Sequence, residues 1–315
     1  MPANWQPSAS LDTIRERARI YRQIRSFFNQ RGCLEVDTPL LMPHGNPDAN
    51  IESLYFELDG VKQCLQTSPE FAMKRLLAAD SGSIFQICHA FRGGERGRLH
   101  HVEFSLLEWY RVGYDYQQLM NEIELLITSL SLKNCQFSRI RYRELFQQCL
   151  DIDIDEIDLA DLRELCGKRV DGCNSNSLEF DQCLDLLLSL LIAPSLAGYL
   201  FVYDYPVSQA SLARCLPNDS AAERFELFYD GIELANGFSE LTDAKEQRAR
   251  FTSENRIRES RGQAKMEIDE RLLDAMEAGL PDCAGVALGL DRLLMILLDC
   301  DSIEQVLTFT SGSDQ

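Results

Sequence analysis

What the 315-residue sequence has little of narrows it first. Positive charge is short: 31 Lys and Arg against 50 Asp and Glu give a formal net charge of −19. Affinity for nucleic-acid backbones comes from clustered cations that release counterions, so a broad nucleic-acid face is excluded and any anion site must be local. The eleven cysteines include no C-x-x-C pair, and the four histidines (His44, His89, His100, His101) do not stand with them at zinc-ligand spacing. A structural zinc site is therefore not expected, and the thiols read as reduced, as in a cytoplasmic protein. No apolar stretch follows a basic one near the start, so export is not expected. The most membrane-like run, CLDLLLSLLIAPSLAGYLFVY from Cys183, is interrupted by Asp185 and Pro194 and reads as a buried helix followed by a strand rather than a membrane span.

What is present is a globular composition, 45% hydrophobic and 26% charged, long enough for one main domain with an insertion. Leu11, Ile14, Ala18, Tyr21, Ile24 and Phe28 recur at three- and four-residue steps and predict a long amphipathic helix ending at Gly32. CLEVDTP alternates as a strand up to Pro39, and a short helix is expected from Phe71 to Ala79. Residues 101–112 alternate strictly, placing Val102, Phe104, Leu106, Glu108, Tyr110 and Val112 on one strand face. Between about 133 and 182 the patterns fade, and DIDIDEIDLADLREL reads as an acidic loop leading into a short helix within a solvated insertion.

Against the acidic background one spot stands out: Arg92 to His101 holds three arginines and two histidines in ten residues. Downstream, FELFYDGIELA is a hairpin signal, because Asp230-Gly231 is a favoured two-residue turn. That turn pairs Tyr229 with Ile232, Phe228 with Glu233 and Glu226 with Ala235, leaving Glu226 and Glu233 as diagonal neighbours roughly 7 Å apart at the backbone. Two such carboxylates either hold a hard cation such as Mg²⁺ or are solvated edge-strand acids. In GVALGLDRLLMILL a buried strand meets Gly289 and then a helix, with Arg292 in its first turn. A cation there opposes the helix dipole unless an anion lies nearby, either Asp291 or a bound phosphate. Glu108, among Phe104, Leu106 and Tyr110, is costly to bury without a partner. Phe104 lies roughly 13 Å from it along the strand, so it either packs in the core or stacks under a flat ring whose ligand ends in an amine at Glu108.

Together TSPEFAMKRLL, FRGGERGRLHHVEFSLLEWY, RFELFYDGIELANGFSEL and GVALGLDRLLM resemble the catalytic domain of the lysyl-tRNA synthetases, within the class II aminoacyl-tRNA synthetases. WQPSAS, ELANGF and LPDCAGVALG bring the resemblance closer still to their truncated paralogues, the elongation factor P (R)-β-lysine ligases. The resemblance covers nearly the whole chain and is weakest at 40–63 and 133–182. It implies an α+β class II synthetase catalytic fold, an antiparallel sheet flanked by helices, over residues 1–315, with an insertion at about 133–195. An anticodon-binding domain ahead of the first motif is not expected. It also implies an ATP- and Mg²⁺-dependent ligase that adenylates (R)-β-lysine and passes it to a lysine ε-amine of elongation factor P, acting as a cytoplasmic homodimer without tRNA. Arg92, Gly94, Arg98, His100, His101, Phe104, Glu233, Leu234, Gly289 and Arg292 would bind ATP. Ser68, Pro69, Glu70, Arg92, Glu108, Tyr110, Ala235, Asn236 and Glu240 would hold the amino acid, and Glu226 with Glu233 the metal.

Three positions depart from the pattern that the resemblance sets. Gly93-Gly94 stands where Asn-Glu is usual, His101-Val102 replaces Asn-Pro, and Ala235 stands where lysyl-tRNA synthetases have Gly and the β-lysine ligases have Ala. A truncated lysyl-tRNA synthetase and a non-catalytic synthetase-like regulatory protein stay open as alternatives.

Overall fold

The computed structural model describes residues 5–131, 133–217 and 220–310. Ser10 opens α1 (Leu11–Asn29) by accepting the Thr13 N–H at 3.1 Å, the cap expected where four helix donors lack partners. Ile20, Ile24, Phe27 and Phe28 form its buried stripe. Two short strands follow, β1 (Leu34–Glu35) and β2 (Leu41–Met42), where a single longer strand to Pro39 was expected. Tyr55–Leu58 (β3) and Val61–Leu65 (β4) form a hairpin that pairs with β2 in a three-stranded sheet. The expected short helix is α2 (Glu70–Ala78).

Next come β5 (Ile84–Phe91), β6 (Glu103–Val112) and α3 (Tyr116–Leu130), whose Asp115–Gln118 capping box satisfies its first turn. The segment of faded pattern contains β7 (Phe137–Arg141), α4 (Tyr142–Leu150), α5 (Leu159–Arg169) and α6 (Phe180–Leu187). The acidic loop leading into a helix is there, at 151–169, but the segment also has its own core. Tyr142, Phe146, Leu162, Cys166, Cys183 and Leu184 pack onto Tyr205 and Phe228 of the sheet. The last third supplies β8 (Tyr199–Tyr205), β9 (Ala222–Tyr229), β10 (Ile232–Ser239), α7 (Ala244–Ser260), α8 (Glu270–Gly279), β11 (Cys283–Gly289) and α9 (Leu290–Leu297).

Eight strands form the main sheet in the order β1-β5-β6-β11-β10-β9-β8-β7. The six central strands run antiparallel, as expected, whereas β1 and β7 join the edges parallel to their neighbours, so the sheet is mixed. Strand alternation divides the sheet into two faces. Leu107, Trp109, Phe225, Leu227, Val286 and Leu288 point to the α1/α3 side, where Phe28 stacks on Phe85 at 4.7 Å and tilts against Trp109. The Trp109 indole donates to Glu122 on α3 at 3.1 Å, satisfying both buried groups. The opposite face is only partly covered, by α2, α7 and α8 over one part and by α4 and α6 over another, and the opening between them is the cleft described next. No helix among the described residues is long and apolar enough to cross a membrane.

Candidate active site

A cleft of about 300 Å³ opens on the partly covered face. Because β6 alternates, Phe104, Glu108 and Tyr110 reach it together, as their spacing predicts. Also lining it are Ser68, Glu70, Arg92, His100, His101, Glu233, Leu234, Ala235, Asn236, Glu240, Gly289 and Arg292. Of the remaining expected site residues, Pro69 caps the start of α2, and Gly94 sits in the loop after β5 at φ +73°, a conformation glycine adopts without strain. Arg98 turns away, donating to the Asp301 carbonyl at 3.1 Å, and Glu226 lies beneath Arg224 rather than on the cleft wall.

One end of the cleft is cationic. The Arg292 guanidinium donates to the Glu233 carbonyl at 2.7 Å and to His100 Nε2 at 2.6 Å, with the Glu233 carboxylate 3.8 Å away. Burial first and Arg292 second push the His100 imidazole below its usual pKa, so it is neutral and accepts that bond. Asp291, the alternative anion for Arg292, is committed elsewhere: its carboxylate pairs with Arg17 at 2.6 Å and accepts the Ser105 N–H at 2.6 Å. Arg92 lies over the Phe104 ring at 5.1 Å and pairs with Glu95 at 3.7 Å. Its Nε is buried with no partner, a donor left for a ligand.

The other end is acidic and dry. Glu108 is 2% exposed and accepts from the Tyr110 hydroxyl at 2.7 Å and from Ser68 at 3.1 Å. Burial, reinforced by Glu70, pushes its carboxyl up to about 8. Glu240, 1% exposed, lies 2.5 Å from the ammonium of Lys74, and burial pushes it too up to about 8 against the pull of that lysine. Gly285 makes room here, since a Cβ on it would fall 2.5 Å from Glu240 Oε1 and 2.3 Å from the Tyr110 ring. Of the two cations expected for Glu108, from the protein or from a ligand, the protein supplies none in direct contact: its contacts are two hydroxyls, and Lys74 reaches Glu70 and Glu240 instead.

The hairpin at Asp230-Gly231 has both turn residues at positive φ, as a type I′ turn requires. Its register then departs from the expected one. Glu233 faces Phe228, but a bulge at Leu234 makes Ala235 face Leu227 and Asn236 face Glu226. The bulge lets Leu234 and Ala235 both join the α1/α3 core while Glu226 and Glu233 keep one face. Glu226 is only 12% exposed at its side chain and pairs with Arg224 at 2.5 Å, while Glu233 is 44% exposed. Burial pushes Glu226 up to about 7, Arg224 opposes this, and Glu233 adds to the rise.

Sequence reasoning missed three residues around the cleft. Arg224 lines it and was signalled by its position two residues before Glu226 on one strand face. Lys74 was signalled by its i,i+4 relation to Glu70. Glu52 carried no local signal: it comes from a distant loop, and its carboxyl carbon lies where a Cβ on Gly93 would be only 2.9 Å away, so it fills the space a side chain there would occupy.

A mixed sheet with an antiparallel centre, carrying an arginine-led loop and a strand-to-helix arginine over one cleft, defines a class II synthetase catalytic domain. The family model for class II tRNA synthetases (D, K and N) matches residues 5–313, and the chain belongs to that family. Within it, the chain is 45% identical over 322 residues to the elongation factor P–(R)-β-lysine ligase of Salmonella dublin, covering 98% of both proteins. The Klebsiella pneumoniae protein of the same name shows the same identity and coverage.

Proposed function

We propose that the protein adenylates (R)-β-lysine with ATP and transfers the acyl group to the ε-amine of a lysine on elongation factor P. The observation that carries this reading is a single cleft with arginines at one end and three carboxylates, Glu70, Glu108 and Glu240, at the other. A diamino acid placed between them has its amines at the carboxylates and its own carboxylate toward Arg92. Names of the relatives supply the acceptor and the β-amino acid. Residues 1–315 act as one catalytic unit in this reading, in the cytoplasm.

The amino-acid carboxylate, ionised at neutral pH, attacks the α-phosphorus of ATP in line and pyrophosphate departs. Arg92 holds the reacting carboxylate and α-phosphate, and Arg292, with neutral His100 as its acceptor, holds the leaving phosphates. Phe104 offers a flat face for the adenine. The acceptor amine, in its deprotonated form, then attacks the acyl carbon, and the C–O bond to AMP breaks as the amide forms, releasing AMP and a proton to solvent. Glu226 and Glu233 suit Mg²⁺: both are hard oxygen donors on one face, and Glu233 adds to the rise that burial imposes on the Glu226 carboxyl, a rise that a cation between them would oppose. Mg²⁺ held there would supply charge neutralisation for the departing pyrophosphate.

A homodimer fits the same reading, because Leu34, Leu40 and Leu41 next to α1 are exposed apolar residues on one stretch of chain. The deciding experiment is pyrophosphate exchange with a panel of amino acids, followed by intact-mass analysis of elongation factor P. Preferred exchange with (R)-β-lysine over α-lysine and one added lysyl mass are expected. Exchange with a neutral amino acid instead, or charging of tRNA with elongation factor P unmodified, overturns the reading.

A further inference from the structure

Lys74 is a fully buried ammonium that the cleft itself does not expose. It projects from α2 and bridges Glu70 Oε1 at 2.8 Å and Glu240 Oε2 at 2.5 Å, at 1% exposure, with the Phe238 ring 5.4 Å away. Around it stand the groups that face this end of the cleft: Glu70 from α2, Glu108 and Tyr110 from β6, Glu240 after β10, and the buried thiols Cys88 of β5 and Cys283 of β11. Both thiols are held neutral by burial, with Glu108 acting on Cys88 and Glu240 on Cys283 to the same end. The charged set is therefore three carboxylates and one ammonium.

We infer that Lys74 sets the charge capacity of this pocket: by permanently satisfying one carboxylate of the three, it leaves room for two ligand ammonium groups, and so selects a diamino acid over a monoamino acid. This rests on the reading of the cleft as an amino-acid site and adds the residue that fixes how many amines it takes. The physical ground is the cost of an uncompensated buried charge, several kcal/mol in a dry site. A ligand with one ammonium leaves one carboxylate to be neutralised by a proton, and a ligand with two does not.

The electrostatics agree in direction. Burial opposes the Lys74 charge, but Glu240 and then Glu70 outweigh it and raise its pKa, so it remains an ammonium. Burial raises both Glu108 and Glu240, Glu240 against the pull of Lys74, so the empty pocket takes up protons that it gives back when ligand ammoniums arrive. Lys74 touches carboxylates and not substrate, so it is a positioning residue.

Two measurements test this. In calorimetry on the wild-type protein at pH 7, run in buffers of different ionisation enthalpy, β-lysine should release about twice as many protons as 6-aminohexanoic acid, its single-amine analogue. Equal release from the two overturns the inference. In pyrophosphate exchange, Lys74→Met should raise the pH midpoint of the amino-acid KM by about one unit or more, since a third unmatched carboxylate holds protons more tightly, while the KM for ATP stays within about twofold of wild type. The double variant Glu70→Gln with Lys74→Met, which again leaves two unmatched carboxylates, should bring the midpoint back toward wild type. An unmoved midpoint in the single variant, or no return in the double, refutes the role. If Lys74→Met does not melt cooperatively, the wild-type proton count decides alone. If the wild type exchanges with no diamino acid, the functional reading has failed, and the proton count still reports the pocket's capacity.

Discussion

The two ends of the cleft solve opposite problems by opposite means. At the phosphate end the arginines are partly solvated and hold one another's surroundings in place: Arg292 is tied to backbone carbonyls and to a neutral histidine, and Arg92 rests over an aromatic ring. At the amine end Glu108 and Glu240 are buried almost completely, and burial itself disfavours their charge, for Glu240 against the pull of Lys74. A polyanionic ligand brings more charge than a few arginines neutralise, so partial solvation is tolerable there. An amine is small and strongly hydrated, so discrimination needs a dry site in which each unmatched charge is costly. In the proposed reaction the cationic end would stabilise the departing phosphates and the acidic end would count the charges of the substrate.

Removing a member of the phosphate end should break the comparison most severely. Arg292→Ala takes away a preorganised cation together with its bonds to the Glu233 carbonyl and His100. Loss of about 10² to 10³ in the pyrophosphate exchange rate is expected, with the melting temperature nearly unchanged. Exchange within a fewfold of wild type removes Arg292 from the phosphate role. At the amine end, Glu240→Gln strips the partner from both Lys74 and the ligand amine. The expected result is a rise of roughly a hundredfold in the amino-acid KM, corresponding to about 3 kcal/mol, with the ATP KM little changed. Parallel loss of both affinities indicates misfolding instead.

The two ends also differ in how much of them the sequence made legible. Phe104, Glu108 and Tyr110 follow directly from strict alternation in one strand, which only a strand can align on one face. Arg292 follows from a strand, a glycine and a helix in succession. By contrast, the pairing of Glu226 with Asn236 depends on a bulge at Leu234, where tertiary packing of two adjacent apolar side chains overrides the hairpin's simple register. Glu52 reaches Gly93 from a loop with no periodicity. The segment from 133 to 182 looked irregular because Asp and Glu are interspersed among its apolar residues, yet Tyr142, Phe146, Leu162 and Cys183 find the sheet and build a core on it. In each case the missing information lay in contacts distant along the chain.

A pH series sharpens the comparison without mutation. Glu108 and Glu240 have folded-state pKa values of about 8, above the ordinary carboxylate value near 4.5. Their contribution to the stability of the empty protein is therefore fully present below the unfolded pKa and is lost as pH rises through about 8. The melting temperature of the ligand-free protein should fall as pH rises from about 5 to about 8 and level off above that, and saturating β-lysine should reduce that fall because its ammoniums favour the ionised carboxylates. Over the same range the amino-acid KM should decrease with rising pH and level off above about 8. The ATP KM should show no such step. A melting temperature that rises between about pH 5 and 8 contradicts the burial of protonated carboxyls.

The smallest effect concerns Ala235. Its side chain is 1% exposed, it follows the bulge, and it lines the cleft beside Asn236. Gly here removes one methyl packed in the α1/α3 core directly behind the pocket wall and adds backbone freedom at a strand position that already deviates from regular pairing. A methyl in a well-packed pocket is worth about 1 to 3 kcal/mol of discrimination between ligands that differ in shape at that point. Since α- and β-lysine differ in which carbon bears the second amine, and not in charge, the acidic end cannot separate them by counting, and shape must. Ala235→Gly should therefore shift the ratio of kcat/KM for (R)-β-lysine over α-lysine toward α-lysine by about tenfold, leaving the pH midpoint of the amino-acid KM where it was. An altered midpoint with an unchanged ratio would assign the discrimination to the carboxylates and not to the wall.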